Sequence, residues 1–234
     1  MKTAIVTGAG RGLGYCITKD LLSRGYVVGG ILRKSNADFD QLLKDYPDTL
    51  IPLYADVTDI DALNQTYEIF SSKVDRLDVI FNVAAIMIPE AELRLDDPNL
   101  SFDKMLVEYD VNALGPIRVV KAYLPLIEAT KACTTCINIS SEAGSIGYHF
   151  AREDQYAYQM SKCALNFATK ILNQAYCTMW FRAWAVDPGW MRTDMGGQAA
   201  SLDPNDSARE IVDLAESDNK PYFYMNRKGM EYKW

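Results

Sequence analysis

The sequence predicts a single α/β domain built on a doubly wound parallel sheet with helices on both faces. Short apolar runs rich in β-branched residues alternate with amphipathic segments along the chain, the pattern of strands joined by helical crossovers. The first run breaks into a glycine-rich turn, Gly8-Ala9-Gly10-Arg11-Gly12-Leu13-Gly14, before a helix. A chain of 234 residues suits one domain over 1–234, since cores split beyond roughly 250 residues.

Thr3-Ala4-Ile5-Val6-Thr7 reads as the first strand, and the amphipathic segment after the glycines runs to about Arg24. Glycines let backbone approach a pyrophosphate, which rests on the N–H groups and positive dipole of the helix start. The spacing is T-G-x-x-x-G-x-G, on Thr7, Gly8, Gly12 and Gly14, with Gly10, Arg11 and Leu13 completing the cradle. Tyr26 to Leu32 is the second strand, and Arg33-Lys34 follows it where an NAD-binding chain carries an acid for the ribose hydroxyl. Arg11 and Arg33 are expected to converge on a 2′-phosphate instead, which predicts NADP(H) in preference to NAD(H). Asp38 to Tyr46 reads as a helix, Leu50 to Tyr54 as a strand, and Asp56-Val57 as the crevice edge where an acid accepts from an adenine amino group. A helix over Ile60 to Ser72 and a strand over Leu77 to Asn82 come next. Long helices over Phe102 to Thr130 and Asp154 to Tyr176 flank a strand at Ile137-Asn138-Ile139. Ala183 to Asp187 is the sixth strand, Pro204-Asn205-Asp206 starts a helix reaching about Ala215, and Pro221 to Asn226 is the last strand.

Composition excludes several functions. A net charge of −7 argues against general affinity for nucleic acid or anionic membranes, and no apolar run is long enough to span a bilayer. Met1 leads almost directly into a strand with no basic export leader before it, so a cytoplasmic location is expected. Five scattered cysteines read as free thiols; Cys133 and Cys136 have no second pair, and the lone His149 is not at finger spacing, so no metal is expected.

The chemistry centres on Tyr158-Gln159-Met160-Ser161-Lys162. A Tyr and a Lys four residues apart share a helix face, and a nearby cation favours the phenolate, drawing the phenol towards the working pH range. Tyr156 stands two residues earlier but has no Lys four places on.

With Asp56-Val57, Asn82-Val83-Ala84-Ala85, Val111-Asn112-Ala113, Asn138-Ile139-Ser140-Ser141 and Pro188 to Met195 in this order, the sequence resembles a short-chain dehydrogenase/reductase of the classical type from one end to the other. Within that family it is similar to the C-factor and sniffer group of carbonyl reductases. The resemblance implies a Rossmann-like fold and a catalytic set of Asn112, Ser141, Tyr158 and Lys162. Tyr158 would be the acid or base, Lys162 would bind the nicotinamide ribose and lower the Tyr pKa, Ser141 would hold the substrate oxygen, and Asn112 would hold a relay water. It also implies cofactor contacts from Asn82, Ala84, Pro188, Gly189, Met191 and Thr193, a substrate lid over Met191 to Asn205, and a homodimer or homotetramer. Tyr148, Phe150, Trp190 and Met191 suggest an apolar pocket for a small carbonyl or alcohol substrate. Two departures stand out: Val83 and Ala85 replace the usual Asn and Gly, and the interval from Ser141 to Tyr158 is longer than usual. The alternatives are a non-catalytic NADP(H)-binding signalling or scaffold protein, and a sugar-nucleotide epimerase, for which the chain is short.

Overall fold

The computed structural model describes residues 1–130, 132–147, 151–176, 181–217 and 223–234. Among the described residues seven strands form one parallel sheet: β1 (Thr3–Thr7), β2 (Val27–Leu32), β3 (Leu50–Tyr54), β4 (Val79–Asn82), β5 (Thr134–Ile139), β6 (Phe181–Asp187) and β7 (Tyr224–Asn226). Their order is β3-β2-β1-β4-β5-β6-β7, so the fold is Rossmann-like and doubly wound. From β1 the chain winds outward through β2 and β3, then returns to place β4 on the other side of β1. That reversal opens a crevice beyond the carboxyl ends of β1 and β4, where open sheets of this kind bind ligands.

Both faces are covered. On one, α1 (Gly12–Ser23), α2 (Ala37–Asp45) and α7 (Pro204–Glu216) contribute Leu13, Ile17, Leu21, Phe39, Ile211 and Val212 to a buried cluster with Val6, Val28 and Val186. On the other, α3 (Ile60–Ser71), α5 (Gly115–Ala129) and α6 (Tyr156–Tyr176) contribute Leu63, Phe70, Val119, Tyr123 and Leu172 around Ile5, Leu53 and Ile80. With apolar cover on both sides, β1 is buried throughout.

Elements begin where side chains satisfy helix ends. Asn36 caps α2 by accepting from Phe39 N–H, and Asp59 caps α3 from Asp61 and Ala62. The last helix is capped by Asp203 with Pro204 in its first turn, one residue earlier than the sequence suggests. β2 starts at Val27 because the Tyr26 N–H returns to Leu21 O. Pro221 and Tyr222, expected in the last strand, lie outside the described residues.

The larger departure concerns the expected helix over Phe102 to Thr130. It is two helices, α4 (Phe102–Tyr109) and α5, joined by a π turn at Asp110–Leu114 in which Gly115 N–H donates to Asp110 O. Pro116 has no N–H to offer the Asn112 carbonyl in the usual four-residue register, so the regular ladder fails here. Gly115 packs on Val57: a Cβ there would lie 2.9 Å from Val57 Cγ2. No described helix is long and apolar enough to cross a membrane.

Candidate active site

The cradle begins where β1 gives way to the glycine turn. Gly8 and Gly12 have φ of +68° and +54°, a region that L side chains rarely adopt. At Gly14 the reason is contact: a Cβ would lie 2.2 Å from Gly8 O. The first turn of α1 carries no side-chain cap and no acid, so its N–H groups and positive dipole face the crevice without competition. This fits a pyrophosphate. Gly10 backs onto Leu32 and Asn36, whose Nδ2 donates to Gly10 O at 2.6 Å.

Several residues expected to bind the cofactor have only backbone to offer it. Leu13 and Val57 bury their side chains in the two cores. Thr7 is buried, and its Oγ1 accepts from Val83 N–H at 2.9 Å and Ala84 N–H at 3.1 Å, tying the end of β4 to that of β1. Asn82 turns inward and donates to Asn138 Oδ1 at 2.8 Å. Val83 packs on the first core and Ala84 on the second, so the valine that replaces the usual asparagine has a place in the packing.

Arg11 and Arg33 do not share a partner. Arg11 pairs with Asp194 at 3.1 Å, and Arg33 lies 4.0 Å from Asp56, all on the surface. Exposed pairs of this kind are worth about 0–1 kcal/mol, so neither pairing fixes its arginine against a bound phosphate. Asp56 Oδ1 is taken by the N–H and hydroxyl of Thr58.

Beyond β6, Pro188 O accepts from Ser207 Oγ, and Gly189 at φ +77° turns the chain, its N–H donating to Asp187. The segment after it doubles back: Arg192 N–H reaches Leu202 O, and Leu202 N–H reaches Trp190 O. Thr193 stands over the glycine turn, its Cγ2 3.6 Å from where a Cβ on Gly12 would be. Met191 is half-buried against the first core, and Trp190 donates to Gly196 O. Tyr148, His149 and Phe150 lie outside the described residues.

The residues expected to be catalytic come together where β5 ends and α6 begins. The Tyr158 phenol faces the side chain of Ser141, and Lys162 Nζ lies 5.6 Å from the Tyr158 ring centroid. The ammonium is buried and donates to Ile139 O at 2.7 Å. Ser141 is set from the far edge of the sheet, its carbonyl accepting from Tyr224 OH at 2.6 Å. Asn112, buried in the π turn, brackets Ile86 by accepting from its N–H and donating to its O, both at 2.9 Å, and also donates to Ser161 Oγ. Ser161 in turn donates to Tyr158 O.

One expectation about the tyrosine reverses. Burial pushes the Tyr158 phenol up to about 12, with the Ser141 hydrogen bond opposing, rather than down. The Lys162 ammonium is lowered to about 8 by burial, with Glu108 and Asp187 opposing. Here desolvation outweighs the attraction between cation and phenolate that the four-residue spacing suggests.

Sequence reasoning missed Tyr224, Ser161 and Asp187, and two acids, Glu92 and Glu108. Asp187 is buried and accepts from Tyr232 OH at 2.9 Å. Among the described residues no group of three or more His, Cys, Asp and Glu side chains is placed to hold a metal ion.

The family model of short chain dehydrogenases matches residues 2–203. The chain belongs to this family. An uncharacterized oxidoreductase of Schizosaccharomyces pombe is 31% identical over 85% of this chain and 77% of its own. Among solved structures, carbonyl reductase Sniffer of D. melanogaster superposes with a TM-score of 0.90 at 28% identity over the whole of both chains. An NADPH-bound carbonyl reductase from chicken fatty liver gives 0.90 at 25% identity over 100% of this chain and 99% of that one. The chain is therefore a short-chain dehydrogenase with carbonyl reductases among its relatives.

Proposed function

We propose that this short-chain dehydrogenase moves hydride between NADP(H) and a small carbonyl or secondary alcohol substrate, with Tyr158 as acid and base. The observation that carries the reading is the Tyr158 phenol on Ser141 with the Lys162 ammonium beside its ring. When bound, the dinucleotide supplies or accepts the hydride at its nicotinamide.

In the reducing direction, Tyr158 gives its proton to the carbonyl oxygen as negative charge builds there, and the Ser141 hydroxyl donates to the same atom. A phenol raised to about 12 holds its proton at neutral pH and is ready to act as the acid. Once the proton has left, Lys162 faces a phenolate and stabilises it by charge. Asn112 holds the Ile86 turn and, through Ser161, the first turn of α6. Its own carbonyl, which Pro116 cannot serve, is the acceptor assigned to the water that links Lys162 to solvent. In the oxidising direction the proton runs back from the alcohol to the Tyr158 phenolate.

NADP(H) is favoured over NAD(H) because no acid follows β2, while Arg11 and Arg33 are exposed beside the cradle. The NADPH in the chicken carbonyl reductase supports this. We place the protein in the cytoplasm as a homodimer or homotetramer. Phe102 and Leu106 on α4 and Phe167 on α6 are 66%, 68% and 53% exposed, an apolar face suited to a second copy; sedimentation as a monomer would refute that assembly.

The test is carbonyl-dependent NADPH oxidation over an aldehyde, ketone and quinone panel, with Tyr158→Phe alongside. Turnover that collapses in the variant supports the reading. Tight NADPH binding with no turnover over the whole panel would favour a non-catalytic protein.

A further inference from the structure

Glu92 and Glu108 lie by the head of α6, and no motif announces either. Glu92 follows the short turn Pro89–Ala91 beyond β4, and Glu108 is on α4, four residues before Asn112. Glu108 is fully buried and accepts from Ile88 N–H. Glu92 Oε1 accepts from Tyr158 N–H at 2.9 Å. That amide belongs to the first turn of α6, where backbone donors have no partner within the helix, so Glu92 satisfies it from another segment.

The other oxygen of each acid, Oε2, is buried with no donor. The two carboxyls are within hydrogen-bonding reach of each other. If both were ionised, two like charges would face each other with no protein donor to offset them. A single proton between the acids removes the repulsion and supplies the missing donor.

We propose that Glu92 and Glu108 hold one proton between them and, as a pair, pin the start of α6 so that Tyr158 stays aimed at the substrate oxygen. The pair joins three segments: the turn after β4, α4 and the head of α6. Its remaining negative charge, with Asp187 from β6, opposes the loss of charge from Lys162. Asp154, just before α6, adds its charge on the Glu92 side. Both acids are raised mainly by burial, Glu92 to about 8 with the Glu108 charge next in weight. The positioning role rests on the reading of Tyr158 as the acid and base; the shared proton does not.

Glu92→Gln separates the two parts. Its amide oxygen still accepts from Tyr158 N–H, and its NH₂ donates to Glu108 at any pH, but it has no proton to lose. Unfolding constants in denaturant are measured from pH 5.5 to 7.5. Folded wild type keeps a proton there that the unfolded chain has released, so its stability falls as pH rises towards about 8. The wild-type unfolding constant should therefore rise roughly tenfold per pH unit more steeply than that of Glu92→Gln. Parallel slopes would overturn the shared proton.

At pH 7, kcat for carbonyl reduction should stay within about threefold of wild type in Glu92→Gln. It should fall about tenfold or more in Glu92→Leu, with KM for NADPH unchanged, since small misplacements of reacting groups cost that much. A Glu92→Leu protein with wild-type kcat would overturn the positioning role. Absence of turnover in wild type would defeat the reductase reading, and with it the positioning role, while the unfolding slopes would still decide the proton.

Discussion

Gly14→Ala tests whether the glycine turn is the cofactor cradle. The added Cβ would lie 2.2 Å from Gly8 O and 2.7 Å from Gly8 C, so strand and helix must part by about 1 Å. Neither partner is a side chain that can swing away. Overpacking of this kind costs about 3 kcal/mol at the upper end of its usual range. Alanine in a helix returns about 1 kcal/mol through its better propensity, which leaves about 2 kcal/mol of net destabilisation. For a chain of this size that lowers the Tm by about 4–8 °C. The same opening moves the phosphate-facing N–H groups, so the Kd for NADPH should weaken by about tenfold or more, measured by calorimetry. Gly25→Ala is the control: its Cβ would meet nothing within 4 Å, so it carries only the strain of φ +80° and should leave the Kd unchanged. A Gly14→Ala protein with wild-type Tm and Kd would refute the contact argument.

Thr7→Val removes the acceptor of the Val83 and Ala84 amides and should cost about 2 kcal/mol, seen as a lower denaturant midpoint with unchanged slope. Lys162 is charged below about 8 and neutral above, so kcat/KM for NADPH, which reports on the cofactor-free protein, should fall as pH rises through about 8; a flat profile to pH 9.5 would contradict this. Arg33→Ala should raise KM for NADPH by roughly tenfold and leave KM for NADH within about twofold, measured in steady state.

The sheet and the glycine turn were legible because strand, turn and helix starts are written in neighbouring residues. Thr7 to Gly14 declare themselves within one short stretch, and the spacing of Tyr158 and Lys162 fixes a common helix face. The break between α4 and α5 was not legible as a boundary. A π turn inserts one residue into a continuous apolar pattern, and only Pro116 hints that the ladder fails there. Glu108 reads as an ordinary polar helix residue; its burial follows from packing α4 against α6, and the amide that Glu92 serves is 66 residues away. Ser141 is held by Tyr224, 83 residues on, and Asp187 by Tyr232, 45 residues on. The upward shift of Tyr158 was missed for the same reason, since spacing fixes the approach of a cation but not how dry the site is.

The most direct measurement is the rate of carbonyl-dependent NADPH oxidation by wild type and Tyr158→Phe under identical conditions. With the phenol as proton donor, the variant should bind NADPH normally and lose about a hundredfold or more in kcat. Undiminished turnover in Tyr158→Phe would contradict the account, and the proton would have to come from another group.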